Sequence, residues 1–260
     1  MINVKNILEE YKGEYGAVVY CTKTNNLICS YHPDFIIPLA SVGKVLVGYV
    51  VAKYIEEGVL SWNSIINHVS FDSKEDSHII YPHLQKRTSL PLSTMIEVMI
   101  ACHDNVIANH IVSYIGGWEK VNNKLWDENF SSFNLTKNPQ DTQNYGSIND
   151  LLYILIKIYD GYQTQPEIFI PLITGMVRQQ DAHRQIPKQY LAHMTGGLHD
   201  LILDIGILGH FSKNPYIFVI AGNNVPNRLK NSESDNNVAN ILFDVYREWR
   251  KSMVHHNANI

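Results

Sequence analysis

Strand-forming segments occur only near the two ends of this chain, and that distribution limits the folds open to it. Residues 15–21 and 27–31 are runs rich in β-branched and aromatic side chains, joined by the turn Thr24-Asn25-Asn26. Residues 190–195, 202–208 and 216–221 are three more, each bounded by Gly, Asn or Pro. Helical periodicity dominates between them: a helix from Ser41 to about Glu57, then one capped by Ser93, one ending at Gly116-Gly117, and others over 118–128, 147–159 and 166–177. A short helix over 3–12 opens the chain and an amphipathic helix over 234–252 closes it. This order predicts an α/β (α+β) architecture: an antiparallel sheet built from both chain ends, flanked by helices, with an all-helical insertion. One domain over 1–260 is expected, its α/β part made of 1–60 and 178–260 and its helical part of 61–177. Residues 61–90 read as polar and irregular, with 72–77 as an exposed loop.

Composition narrows the function classes. Net charge is −4 and no basic block or Arg-rich helix is present, so nucleic acid is not the expected partner. No apolar run reaches the roughly 18 residues a membrane helix needs. The first ten residues are amphipathic, without an apolar signal core or a small-residue cleavage site, which predicts a cytoplasmic protein. The three cysteines are expected as reduced thiols. A Cys102–His103 catalytic pair is disfavoured, because adjacent residues on a turn rarely face each other. His103 and His110 are two helical turns apart, but no metal-binding spacing accompanies them, and no metal is expected.

The stretch that carries chemistry is Pro38-Leu39-Ala40-Ser41-Val42-Gly43-Lys44, followed by an apolar helix. Ser41 and Lys44 are three residues apart and share a helix face. A serine hydroxyl needs a neighbouring base to attack. A lysine whose pKa is lowered by burial can be that base, and the unpaired N–H groups of a helix start suit an oxyanion.

Two further motifs follow, His103-Asp104-Asn105 after an apolar helix and Met194-Thr195-Gly196-Gly197 at the end of a strand. With S-x-x-K they resemble the signature of class A β-lactamases and penicillin-binding proteins. Asn144 to Leu151 looks like the helix start that follows that family's omega loop. Arg178-Gln179-Gln180 and Ile186-Pro187 look like the approach to its third motif. The likeness spans about residues 12–250 and implies a β-lactamase/transpeptidase-like fold without a cofactor, acting on a small-molecule or peptide-like substrate. It implies Ser41 as nucleophile, Lys44 as its proton acceptor, and Asn105 as the amide that holds a substrate carbonyl and contacts Lys44. The backbone N–H groups of Ser41 and Gly197 would form the oxyanion hole. Met194, Thr195, Gly196 and Gly197 would line the substrate strand.

Three departures matter. His103 replaces the family's proton-relay serine, and a histidine can do the same work; the alternative is that the relay is lost. Met194 replaces a lysine that helps bind the substrate carboxylate, a loss of typically a few kcal/mol. His193 beside it is no substitute, because adjacent strand side chains face opposite ways. No glutamate lies between Phe130 and Asn144, where class A enzymes carry the one that activates the deacylating water; Asp141 is the only acid there, and Glu128 sits on the preceding helix. The expected function is therefore a serine hydrolase or acyltransferase working on an amide or ester through acyl-Ser41, with weak or no β-lactam hydrolysis. A genuine class A-type β-lactamase and a catalytically degenerate binding scaffold are the competing readings. The oligomeric state is not legible.

Overall fold

In the computed structural model, residues 4–180 and 185–257 are described. Helix α1 (Val4–Glu9) precedes the hairpin of β1 (Glu14–Cys21) and β2 (Asn26–Tyr31), and residue 3, the expected helix start, lies outside the described residues. Strand β3 (Ile36–Pro38) leads through a 3₁₀ turn, Ala40–Val42, into α2 (Gly43–Glu56). Then come β4 (Ile65–Asn67), α3 (Ser77–Ile80), β5 (Ser89–Pro91), α4 (Leu92–Ala101), α5 (Asn105–Ile115) and α6 (Trp118–Asp127). Strand β6 (Tyr145–Ser147) opens α7 (Ile148–Thr164), and α8 (Pro166–Val177) follows. Strands β7 (Leu191–Leu198), β8 (Leu201–Leu208) and β9 (Tyr216–Asn223) and helix α9 (Glu233–Asn257) complete the chain.

The five long strands form one antiparallel sheet in the order β2-β1-β9-β8-β7, built from both chain ends as expected. Strand β8 is buried along its whole length, because both faces of the sheet are covered. Ala192, Met194, Leu203, Ile205 and Val219 point from one face into the core shared with α2, α4 and α8. Ile202, Leu208, Phe218 and Ile220 point from the other onto Val238, Ile241, Leu242 and Val245 of α9. The two residue sets alternate along each strand, as the pleat requires.

Helix α2 is buried on every side from Gly43 to Ala52, which makes it the axis between sheet and helices. Ser147 caps α7 by accepting from the Asp150 N–H at 3.0 Å, as its sequence predicts. Ser93 does not cap α4. That helix starts two residues earlier, at Leu92 after the extended Pro91, because Ser89–Pro91 is held as a strand against Ile65–Asn67. The pair β3–β6 is likewise absent from the sequence reading. Strands of three residues are too short to show a period.

Helix α8 passes so close to α4 that a Cβ at Gly175 would lie 2.8 Å from Ile100 Cβ and 3.0 Å from the Glu97 carbonyl oxygen. A glycine-to-alanine change in an exposed helix interior adds about 1 kcal/mol of stability. Gly175→Ala is expected to do the reverse and lower the unfolding free energy by about 1–3 kcal/mol. Urea denaturation of the two proteins measures it.

Candidate active site

Ser41 sits in the 3₁₀ turn rather than inside a regular helix, and Lys44 is in the first turn of α2. The Lys44 amine lies 3.0 Å from Ser41 Oγ. Lys44 is only 5% exposed, and burial lowers its pKa to about 8, against a smaller upward pull from Glu75, Asp104 and Asp72. Ala40, just before the serine, has φ +45°, a left-handed conformation costly for a residue with a Cβ. Asn144 holds this turn: its backbone oxygen accepts from the Leu39 N–H at 2.9 Å, and its Nδ2 donates to the Ala40 carbonyl at 3.4 Å. Strand β7 runs alongside, where a Cβ at Gly196 would meet the Leu39 oxygen at 2.9 Å.

A cleft of about 510 Å³ opens over the serine, lined by Ser41, His103, Thr195, Gly196 and Gly197 together with Glu75 and Arg228. Lys44 and Asn105 line a separate small cavity of about 20 Å³ on the other side of the turn, with Asn144 and Leu135. Asn105 shares this cavity with Lys44 and does not line the main cleft. Met194 lines neither and is fully buried. The substrate-binding place expected for it is corrected here: the pleat turns Met194 into the helical core and Thr195 to the opposite face.

Three residues the sequence reading did not select complete the site. The first is Gln179, just after α8, which is 3% exposed. Its amide nitrogen donates to the Ile100 carbonyl and, at 3.1 Å, to Met194 Sδ. That leaves its oxygen as acceptor, so the His103 Nε2–H donates to it at 2.7 Å. In the neutral ring Nδ1 is then the basic atom. His103 itself has φ +55°. A thioether and an amide therefore fill the space between the second and third motifs. The sequence signal was the Arg178-Gln179-Gln180 stretch, noted only as an approach segment.

The second is Glu75. The loop read as exposed is pinned to the second motif, because Asp104 Oδ2 accepts from the Asp72 N–H at 3.0 Å while Oδ1 caps α5 through the Ile107 N–H at 2.9 Å. Ser77 at its end is fully buried. Glu75 is turned half-buried into the cleft, where desolvation raises its pKa and the nearby Lys44 and His103 oppose the rise. The third is Arg228, after β9. It makes a fork with Asp235, with Nη2 at 2.6 Å from Oδ1, and its Nη1 donates to the Leu198 and Leu201 carbonyls at 3.1 and 2.9 Å. The guanidinium lies against Gly197, where any side chain would collide with it.

Other candidates go elsewhere. His193 pairs through Nδ1 with Asp204 at 2.9 Å, both buried, on the α9 side of the sheet. His110 Nε2 accepts from the Ser70 N–H at 3.3 Å and so points away from His103. Cys102 is buried, and desolvation pushes its thiol up to about 12, which removes it as a nucleophile. Glu128 takes a hydrogen bond from Tyr49 at 3.1 Å and faces Lys53, Lys124 and Lys157, a structural cluster on α2, α6 and α7.

The sequence model of the beta-lactamase enzyme family matches residues 2–249. The chain belongs to the beta-lactamase enzyme family. Solved structures of this fold superpose over nearly its whole length. PBP-A aligns at TM-score 0.78 and 17% identity, covering 96% of this chain and 95% of its own. A β-lactamase from Chitinophaga pinensis aligns at TM-score 0.77 and 17% identity, covering 95% and 97%. The class A β-lactamase of the last common ancestor of Gram-negative bacteria aligns at TM-score 0.76 and 17% identity, covering 95% and 98%. No curated protein matches in sequence. Among the described residues no helix is long and apolar enough to cross a membrane.

In this beta-lactamase family member the lysine burial has a thermodynamic signature. The unfolded chain keeps the lysine proton to about 10.5, whereas the folded chain releases it near 8. Unfolding therefore takes up a proton in that window, and the native state gains stability as pH rises through it. Lys44→Met is expected to unfold with about 1–3 kcal/mol more stability at pH 7, an advantage that shrinks between pH 8 and 10. Urea titrations across this range check it.

Proposed function

We propose that the protein is a serine hydrolase or acyltransferase that works on an amide or ester through an acyl-Ser41 intermediate. The observation that carries this reading is the 3.0 Å contact between Ser41 Oγ and the amine of a buried lysine. In its neutral form that amine takes the Ser41 proton as Oγ bonds to the substrate carbonyl carbon. The backbone N–H groups of Ser41 and Gly197 hold the oxyanion in the role the family resemblance implies for them, and Thr195, in the wall of the cleft, positions the substrate. Collapse breaks the bond to the leaving group, which takes up the proton Lys44 received from Ser41, relayed through His103 Nδ1, so that Lys44 is neutral again. Water or another nucleophile then attacks the acyl group with Lys44 as base, and Ser41 recovers its proton.

The small cavity bears on the acceptor. It is lined by Lys44, Asn105 and Asn144, and Asn144 Oδ1, buried there, has no hydrogen-bond partner among the described residues. Its volume of about 20 Å³ has room for one water. That supports hydrolysis with lysine as the base and no carboxylate. A β-lactamase proper is the second reading, favoured by the family match. Weighing against it, Met194 offers no charge to a β-lactam carboxylate, and the segment before Asn144 has no glutamate. The degenerate-scaffold reading sits poorly with a lysine kept buried and in contact with the serine.

A fluorophosphonate probe is expected to label Ser41, with a rate that rises through about pH 8 as Lys44 loses its proton, and Ser41→Ala is expected to stay unlabelled in mass spectrometry. Lys44→Arg should slow labelling by roughly 10²-fold or more, the size of general-base assistance. Nitrocefin turnover as fast as an efficient β-lactamase would overturn the preference for another substrate. Absence of any label at Ser41 would overturn the enzyme reading itself.

A further inference from the structure

We infer that Glu75 is the specificity determinant of this cleft and selects substrates whose acyl part carries a positive charge, such as a quaternary or protonated amine. The inference rests on the reaction proposed above and adds the substrate's charge class to it.

Among the described residues, the charged groups lining the cleft are Glu75, Asp204, Asp235, His103 and Arg228. Most of them are already matched. Arg228 spends its Nε and Nη2 on Asp235 and its Nη1 on two backbone carbonyls, so its charge is neutralised and its donors point inward. Asp204 is matched by His193. His103 is held by Gln179. Lys44 lies below the serine and faces Oγ. Glu75 is different. Among the described residues its carboxylate accepts no hydrogen bond and joins no ion pair, although it is half-buried in the cleft wall. Its backbone is fixed by the Glu75 N–H, which donates to the Asp72 carbonyl at 3.2 Å, and the loop is fixed in turn by Asp104.

A carboxylate partly removed from water is costly; the nearby Lys44 and His103 offset part of that cost, and a cationic ligand group offsets more of it. The same carboxylate repels an anion in a cleft whose third motif carries a methionine and no lysine. Both changes act in one direction: away from carboxylate-bearing substrates and toward cationic ones. Desolvation of Glu75 strengthens the effect, because Coulomb attraction grows as the local dielectric falls.

The test uses three p-nitrophenyl esters of matched length: 4-(trimethylammonio)butanoate, its neutral isostere 5,5-dimethylhexanoate, and the anionic monoester of glutaric acid. The parent protein is expected to favour the cationic ester over the neutral one in kcat/KM by roughly tenfold, the effect of one partly buried charge pair. Glu75→Gln should bring that ratio toward one, and Glu75→Lys should turn the preference toward the anionic ester. The corresponding primary amides, titrated calorimetrically into Ser41→Ala, read charge selection without any reaction at the serine. Failure of every ester to acylate Ser41 would overturn the enzyme reading, while the calorimetric order would still decide the role of Glu75. Equal binding of the three amides, or a cationic-to-neutral ratio that Glu75→Gln leaves unchanged, would overturn the assignment. A uniform loss of kcat on all three esters in Glu75→Gln would make Glu75 part of the reaction rather than of its selectivity.

Discussion

A lysine almost closed off from solvent organises the candidate site. Helix α2 is buried on all sides over Gly43–Ala52, so the Lys44 amine is nearly enclosed and has the Ser41 hydroxyl as its neighbour. Burial disfavours the ammonium and brings the neutral amine within range of ordinary pH. The same burial costs stability, and the two large cores on either side of the sheet offset it. The strained Ala40 beside the serine tells the same story: Asn144, Leu39 and strand β7 hold the turn in a conformation it would not keep alone.

Around that lysine the fold is the family's, and the cleft carries its own set of charges. The site has an amide and a thioether between its second and third motifs, and its arginine is folded back onto an aspartate of its own chain. A carboxylate enters from the loop between β4 and α3. Conserved geometry with altered charge is what allows one scaffold to serve different substrates, since attack needs only the serine, its base and oxyanion donors, whereas selection depends on the cleft rim.

Much of this was legible before any coordinates. The eight-residue strands, the all-apolar α2, the Ser147 cap and the amphipathic α9 each repeat a local pattern often enough to be read. The three-residue strands β3, β4, β5 and β6 do not, and the pairing of β4 with β5 moved the start of α4 away from Ser93. The polar stretch holding Glu75 looked like a solvated loop because its composition is that of one. What makes it part of the site is a single backbone-to-carboxylate bond between Asp72 and Asp104.

The sequence alone determined what depends on short spacing. Ser41 and Lys44 meet because one helical turn brings residues three apart together, and His193 and Met194 part because strand neighbours face opposite ways. Tertiary structure decided the rest. Gln179 reaches His103 from 76 residues away, and Arg228 reaches Leu198 from 30. No local pattern encodes such meetings, because they follow from how α8 seats on α4 and how the loop after β9 turns back over the end of β7, and those depend on the packing of the whole chain.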